Sequence, residues 1–149
     1  MKVINGLLYD TTGFTCSCFD LLHAGHIIML RYAKARCDKL IVGLQTDPTI
    51  DRSDTKNKPI QSLEERLIQL DAVKYVDEIF TYDTEKELYK NLLDIKPDVR
   101  ILGSDYIGKS FTGDDLDIKI YYHDRNHNYS TTNLREKIVV SHQSVRSIH

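Results

Sequence analysis

His23-Ala24-Gly25-His26 sets two imidazoles around a glycine, in a stretch that runs from the end of an apolar segment at Phe19 through a short turn into helix-forming sequence. At a strand-to-helix turn, the unpaired N–H groups and the dipole of the helix favour an anion. Gly25 has no side chain, so a phosphate can approach the backbone closely. Two ring N–H donors beside those amides suit the charge that builds on a phosphoryl group under attack. A second stretch, Arg125 to Thr132, is the expected partner, and Ser130 in it is a natural N-cap.

These two stretches need a scaffold, and the pattern between them supplies one. Residues 1–12 read as an N-terminal extension, with Val3-Ile4 and Leu7 to Tyr9 split by the turn signal Asn5-Gly6. Phe14 to Phe19 reads as a strand and Ile27 to Arg36 as a helix. Lys39 to Leu44 is a nearly unbroken apolar run, the mark of a parallel strand buried on both faces. Residues 51–59 form a polar loop carrying Lys56 and Lys58. Capping boxes at Ser62 to Glu65 and Thr84 to Glu87 open two further helices, the second stopped by Pro97. Val76 to Phe80, Val99 to Leu102 and Ile118 to Tyr122 are strands, residues 104–117 a polar loop, and Thr131 to Val140 the last helix. The tail at 141–149 is expected to fray. Alternating strands and helices of this length predict an α/β fold: a Rossmann-like, doubly wound, mostly parallel sheet with helices on both faces. Ligands of such sheets sit at the carboxyl ends of the strands.

The bulk properties agree with one domain spanning residues 1–149. A net charge of −2 gives no global field for nucleic acid, so a polyanion needs a local cluster. No apolar run reaches membrane-spanning length, and the N-terminus lacks the apolar region of a signal peptide, so a cytoplasmic location is expected. The three cysteines, Cys16, Cys18 and Cys37, argue against a closed disulfide framework and read as small apolar residues. Cys16 and Cys18 with His23 and His26 also have zinc-ligand chemistry, though Cys-x-Cys on a strand lacks the usual spacing.

Cys18-Phe19-Asp20-Leu21-Leu22-His23-Ala24-Gly25-His26 resembles the signature of the HxGH nucleotidyltransferases, and Ser130-Thr131-Thr132 resembles their second signature. Within that superfamily the sequence is most similar to the cytidylyltransferases, in particular the glycerol-3-phosphate cytidylyltransferase group, over about residues 14–140. The resemblance implies transfer of CMP from CTP to a small phosphorylated alcohol, most plausibly glycerol 3-phosphate, giving a CDP-alcohol and pyrophosphate. It implies catalytic roles for His23, His26, Lys56 and Arg125. It places Cys18, Phe19, Asp105, Ser130, Thr131 and Thr132 with them around the nucleotide, and Lys58, Arg66 and Lys74 on the substrate side. No protein-bound metal is implied; Mg²⁺ carried by the nucleotide phosphates is, as is a homodimer.

Arg125 lies five residues before Ser130, as an arginine does in the cytidylyltransferases, and this tilts the expectation to CTP. Ser17-Cys18 replaces the family's Gly-Thr and keeps an alternative open. That alternative is an adenylyltransferase using ATP on a sugar phosphate, of the heptose-phosphate type, or on flavin mononucleotide or phosphopantetheine. A nucleotide-binding module without catalysis is a further reading. Bland roles also exist: Asp20 as an organiser of the turn, Arg66 as a surface charge, Lys56 and Lys58 as solvated loop charges, and Ser130 and Thr131 as helix caps.

Overall fold

The computed structural model describes residues 2–124 and 129–148. Strands β1 (Lys2–Ile4) and β2 (Leu7–Tyr9) form a small antiparallel hairpin apart from the main sheet. Asn5 and Gly6 between them both take positive φ, 51° and 79°, as a two-residue hairpin turn matched to strand twist requires. The main sheet contains β3 (Thr12–Ser17), β4 (Lys39–Gln45), β5 (Glu78–Tyr82), β6 (Val99–Gly103) and β7 (Lys119–His123) in the order β5-β4-β3-β6-β7. Every pairing in it is parallel.

The helices are α1 (Ala24–Lys34), α2 (Leu63–Asp71), α3 (Glu85–Ile95) and α4 (Thr131–Ile148). Period-two alternation along β4 sends Leu40, Val42 and Leu44 to one face and Ile41 to the other. The first face packs against Leu30 and Ala33 of α1 and Leu70 of α2. The second packs with Phe14, Tyr82 and Leu88 and Leu92 of α3. Burial on both faces explains why β4 reads as a continuous apolar run. The doubly wound α/β expectation therefore holds. After β3, one branch of the chain goes to β4 and β5 and the other to β6 and β7, so the switch in strand order lies between β3 and β6.

Three aspartates secure the amino ends of β3 and β4. Asp38 accepts from Thr11 N (2.9 Å), Asp98 from Thr12 N (2.8 Å) and Asp77 from Leu40 N (2.7 Å). The carboxyl ends are left for function.

Several boundaries differ from the sequence reading. The helix expected from Ile27 starts at Ala24, because His23 caps it, so the whole His-x-Gly-His segment belongs to its cap and first turn. The strand expected at Val76 starts at Glu78, after a turn in which Val76 N donates to Val73 O. The Thr84–Glu87 box is half formed: Thr84 Oγ1 accepts from Glu87 N, but the Glu87 carboxylate accepts from Asp83 N. Helix α4 continues to Ile148 where a frayed tail was expected from Ser141; no glycine or proline follows Thr131 to stop it. Chain 104–118 links β6 to β7 through a short 3-10 turn at Ser104–Tyr106 and no α-helix.

Candidate active site

A cavity of about 600 Å³ lies over the carboxyl ends of β3 and β6, at the switch point. Both signatures reach it. His23, Gly25 and His26 line it from the start of α1, and Ser130, Thr131 and Thr132 from the start of α4. Cys18, Lys56 and Asp105 are in the same lining.

The two histidines are positioned by their own helix. His23 Nδ1 accepts from Gly25 N (3.0 Å), and His26 Nδ1 accepts from His23 N (3.1 Å). This is a capping box made of imidazoles. Each neutral ring then carries its proton on Nε2. The rings stack with centroids 3.8 Å apart, and Phe19 packs against His26 at 5.3 Å.

Ser130 caps α4 by accepting from Asn133 N (3.0 Å). Neither α1 nor α4 has an acidic residue in its first turn, whereas α2 and α3 each carry two, Glu64 and Glu65, and Glu85 and Glu87. Helices ordinarily place carboxylates there to answer the dipole. At α1 and α4 no carboxylate of the first turn answers the dipole.

The turn before α1 is fixed from several sides. Phe19 and Leu21 both take positive φ, 49° and 51°. Asp20, buried between them, accepts from Ile60 N (2.9 Å), Gln61 N (3.0 Å) and Arg135 Nη2 (2.8 Å). Burial raises its carboxyl, but these donors outweigh burial and hold it below the ordinary carboxylate value. Asp20 thus organises the turn, as its bland reading held. Its backbone carbonyl accepts from Thr131 Oγ1 (3.0 Å), which joins the two signatures directly.

Several residues expected to bind ligand lie elsewhere. Phe19 is buried in the core under α1. Arg66, also buried, donates to the carbonyls of Cys18, Gln45, Thr46, Gln61 and Ser62 at 2.6 to 3.3 Å. It is neither a surface charge nor part of the cavity lining; it ties the ends of β3 and β4 to the start of α2. Lys58 is exposed and 3.7 Å from Asp47, and Lys74 lies over the Tyr75 ring at 5.2 Å; neither lines the cavity. Arg125 and the segment Asn126 to Asn128 lie outside the described residues.

The thiols go to different neighbours. Cys18 Sγ is 3.4 Å from Arg66 Nη1, and Cys16 Sγ is 3.9 Å from Arg100 Nη2. Burial raises all three thiols, Cys37 to about 11. Among the described residues no three His, Cys, Asp or Glu side chains group around a possible metal.

The sequence reading missed part of the lining, notably Arg52, Tyr82, Glu85, Arg100 and His123. A signal existed for Arg100, a charged residue inside the apolar strand Val99 to Leu102. His123 ends β7, where ligand-facing residues are expected.

Comparison with known proteins follows this geometry. Residues 14–137 match the family model described as cytidylyltransferase-like. Proteins named "Bifunctional protein HldE" are sequence relatives. That of Wolinella succinogenes is 44% identical over 103 residues, 69% of this chain and 22% of the relative. That of Caulobacter vibrioides is 39% identical over 128 residues, 82% of this chain and 26% of the relative. The chain thus spans about a quarter of the length of these curated relatives. The crystal structure of the lipopolysaccharide core biosynthesis protein from Thermoplasma volcanium superposes with a TM-score of 0.59 at 26% identity, covering 80% of this chain and 98% of that one. A pantothenate synthetase from Thermus thermophilus, 14% identical with a TM-score of 0.59 over 86% of this chain and 62% of its own, shares the fold. No helix among the described residues is long and apolar enough to cross a membrane. With the family model covering both signatures and the sheet between them, the chain belongs to the cytidylyltransferase-like family of nucleotidyltransferases.

Proposed function

We propose that the chain transfers AMP from ATP to the phosphate of a small phosphorylated sugar. The observation that carries nucleotidyl transfer is the pair of acid-free helix N-termini, α1 with its two histidines and α4 with Ser130 to Thr132, opening into one cavity. An oxygen of the acceptor phosphate attacks the α-phosphorus of the triphosphate. The bond from that phosphorus to the bridging oxygen of the β-phosphate breaks, and pyrophosphate leaves with the electron pair. Protein groups need only align the reactants and stabilise the charge.

His23 and His26 would donate from Nε2 to the reacting phosphoryl oxygens. The first-turn amides of α4 and the Ser130 and Thr132 hydroxyls would hold the β and γ phosphates. Lys56, exposed on its loop, would close over them, with Asp105 near the nucleoside. Mg²⁺ would be held chiefly by the phosphates and water, which suits a hard cation and a site without a ligand cluster among the described residues.

Similarity to HldE proteins and to a lipopolysaccharide core biosynthesis protein favours the alternative reading, ATP and a sugar phosphate, over CTP and glycerol 3-phosphate. The tilt to CTP rested on Arg125. A pyrophosphate-release assay of ATP and CTP against a panel of sugar phosphates and glycerol 3-phosphate tests the proposal. Turnover with CTP and glycerol 3-phosphate alone returns the function to cytidylyl transfer; turnover with neither nucleotide removes it. We also propose the homodimer implied by the family resemblance. A sedimentation mass of one chain at micromolar concentration contradicts that assembly.

A further inference from the structure

Arg100 is a buried cation with a face to the cavity, and among the described residues no carboxylate forms an ion pair with it. It is 3% exposed, yet it belongs to the lining. Its Nη1 donates to the Thr112 carbonyl, and its Nη2 reaches only the Cys16 sulfur at 3.9 Å. Its Nε has no hydrogen-bond partner. The Phe14 and Phe111 rings lie 5.5 Å and 5.1 Å from the guanidinium carbon. They give some cation–π compensation but no hydrogen-bond acceptor. One carbonyl bond could be made by a smaller neutral donor. A whole guanidinium at a buried position is costly unless an anion completes it.

The described residues around it do not supply that anion as a direct partner. Burial keeps the Cys16 thiol and the Tyr82 phenol in their neutral forms. Glu85 is the acid of this corner, and it is engaged by Thr112 Oγ1 (2.9 Å) and Arg52 Nη2 (3.4 Å). Arg52 is a second cation in the lining, with its own Nε unpartnered. Gly113 holds the loop in place: its φ is +87°, and a Cβ there would stand 2.8 Å from Leu92 and 3.2 Å from Arg100 Nη1. This corner is built from β3, β5, β6, α3, the loop that carries Arg52 and the β6–β7 loop, and it opens into the same cavity as the starts of α1 and α4.

We propose that Arg100 selects the acceptor by receiving a second anionic group on it, a carboxylate or a phosphate other than the one that attacks the nucleotide. The proposal rests on the nucleotidyl-transfer reading for the word acceptor; the anion site itself does not. Its planar fork suits either group bidentately. The substrate is then a phosphorylated sugar acid or a sugar bisphosphate, rather than a neutral polyol phosphate.

The test uses the wild-type chain with glucose 1-phosphate, glucuronic acid 1-phosphate and glucose 1,6-bisphosphate as probes. Calorimetric affinities are measured with and without a non-hydrolysable ATP analogue, and turnover is measured where it occurs. The acid or the bisphosphate is expected to bind at least about tenfold tighter than glucose 1-phosphate, and which of them gains distinguishes carboxylate from phosphate. Arg100→Met is expected to remove this preference, about thirtyfold or more in affinity for the preferred probe, while leaving the ATP-analogue affinity within about threefold. Equal binding of all three probes by the wild type overturns the proposal even if the variant cannot be purified. A loss of ATP-analogue affinity in Arg100→Met overturns it too, by assigning Arg100 to the triphosphate. A preserved probe preference with no nucleotide turnover would sink the transferase reading and leave the anion site standing.

Discussion

Asp20 and Arg135, 115 residues apart in sequence, meet at 2.8 Å and connect the turn before α1 to the second turn of α4. Because Thr131 Oγ1 also bonds the Asp20 carbonyl, the starts of α1 and α4 are set relative to each other by one residue. The Asp20 carboxyl is held below its ordinary value by donors that act on its charged form. Its contribution to stability is therefore fully present above the unfolded value, about pH 4, and is lost as pH falls through the lower folded value. Asp20→Asn should destabilise the chain by about 1–3 kcal/mol at pH 7 and much less near pH 2. Urea midpoints at the two pH values measure this; an equal loss at both would show that the charge is not what matters.

Arg66 is expected to behave as a structural residue. Arg66→Met leaves carbonyls of Cys18, Gln45 and Thr46 without their donor and should cost about 3 kcal/mol or more. Arg66→Lys should recover little, since an ammonium cannot span five carbonyls in the plane of a guanidinium. Denaturation curves read both variants. A stable Arg66→Met protein with a raised acceptor KM would instead restore Arg66 to the substrate side.

Capping and catalysis by His26 can be separated. His26→Ala should slow turnover by about two to three orders of magnitude and also lose the cap. His26→Gln supplies the side chain that a capping box accepts at this position, so stability should return while the rate does not. Parallel measurement of Tm and kcat decides; a Gln variant within about threefold of wild-type kcat would remove the catalytic role.

The thiols should be slow toward alkylation at neutral pH in the folded chain, because burial raises Cys16, Cys18 and Cys37. Cys37 stands at about 11, so its labelling should climb only as pH approaches that value. Mass spectrometry of iodoacetamide adducts at pH 7, 9 and 10.5 follows this. Rapid modification at pH 7 without unfolding would show that these sites are more open than the structure places them.

Local chemistry was readable in the chain, and side-chain destinations were not. The order of strands and helices followed from apolar runs and caps, since β4 is buried on both faces and Ser62 and Thr84 do cap their helices. Both signatures were legible because anion binding at a helix end needs only residues adjacent in sequence. The start of α1 was misjudged because an imidazole is not a usual N-cap. The destination of Arg66 depends on carbonyls from three other segments, and that of Phe19 on a positive φ that turns it into the core. Arg100 is a charge in an apolar strand that the sequence reading passed over, and its place at the cavity depends on the loop that Gly113 brings over it.

The central claim is that the two helix ends form the donor site of an adenylyltransferase acting on a phosphorylated sugar. Its most direct test is a competition: equimolar ATP and CTP with Mg²⁺ and a sugar phosphate that supports turnover, and the ratio of ADP-sugar to CDP-sugar measured by mass spectrometry. The ADP-sugar should dominate by at least about tenfold, and both products should fall by about two to three orders of magnitude in His26→Ala. A product pool dominated by the CDP-sugar would contradict the assignment of ATP.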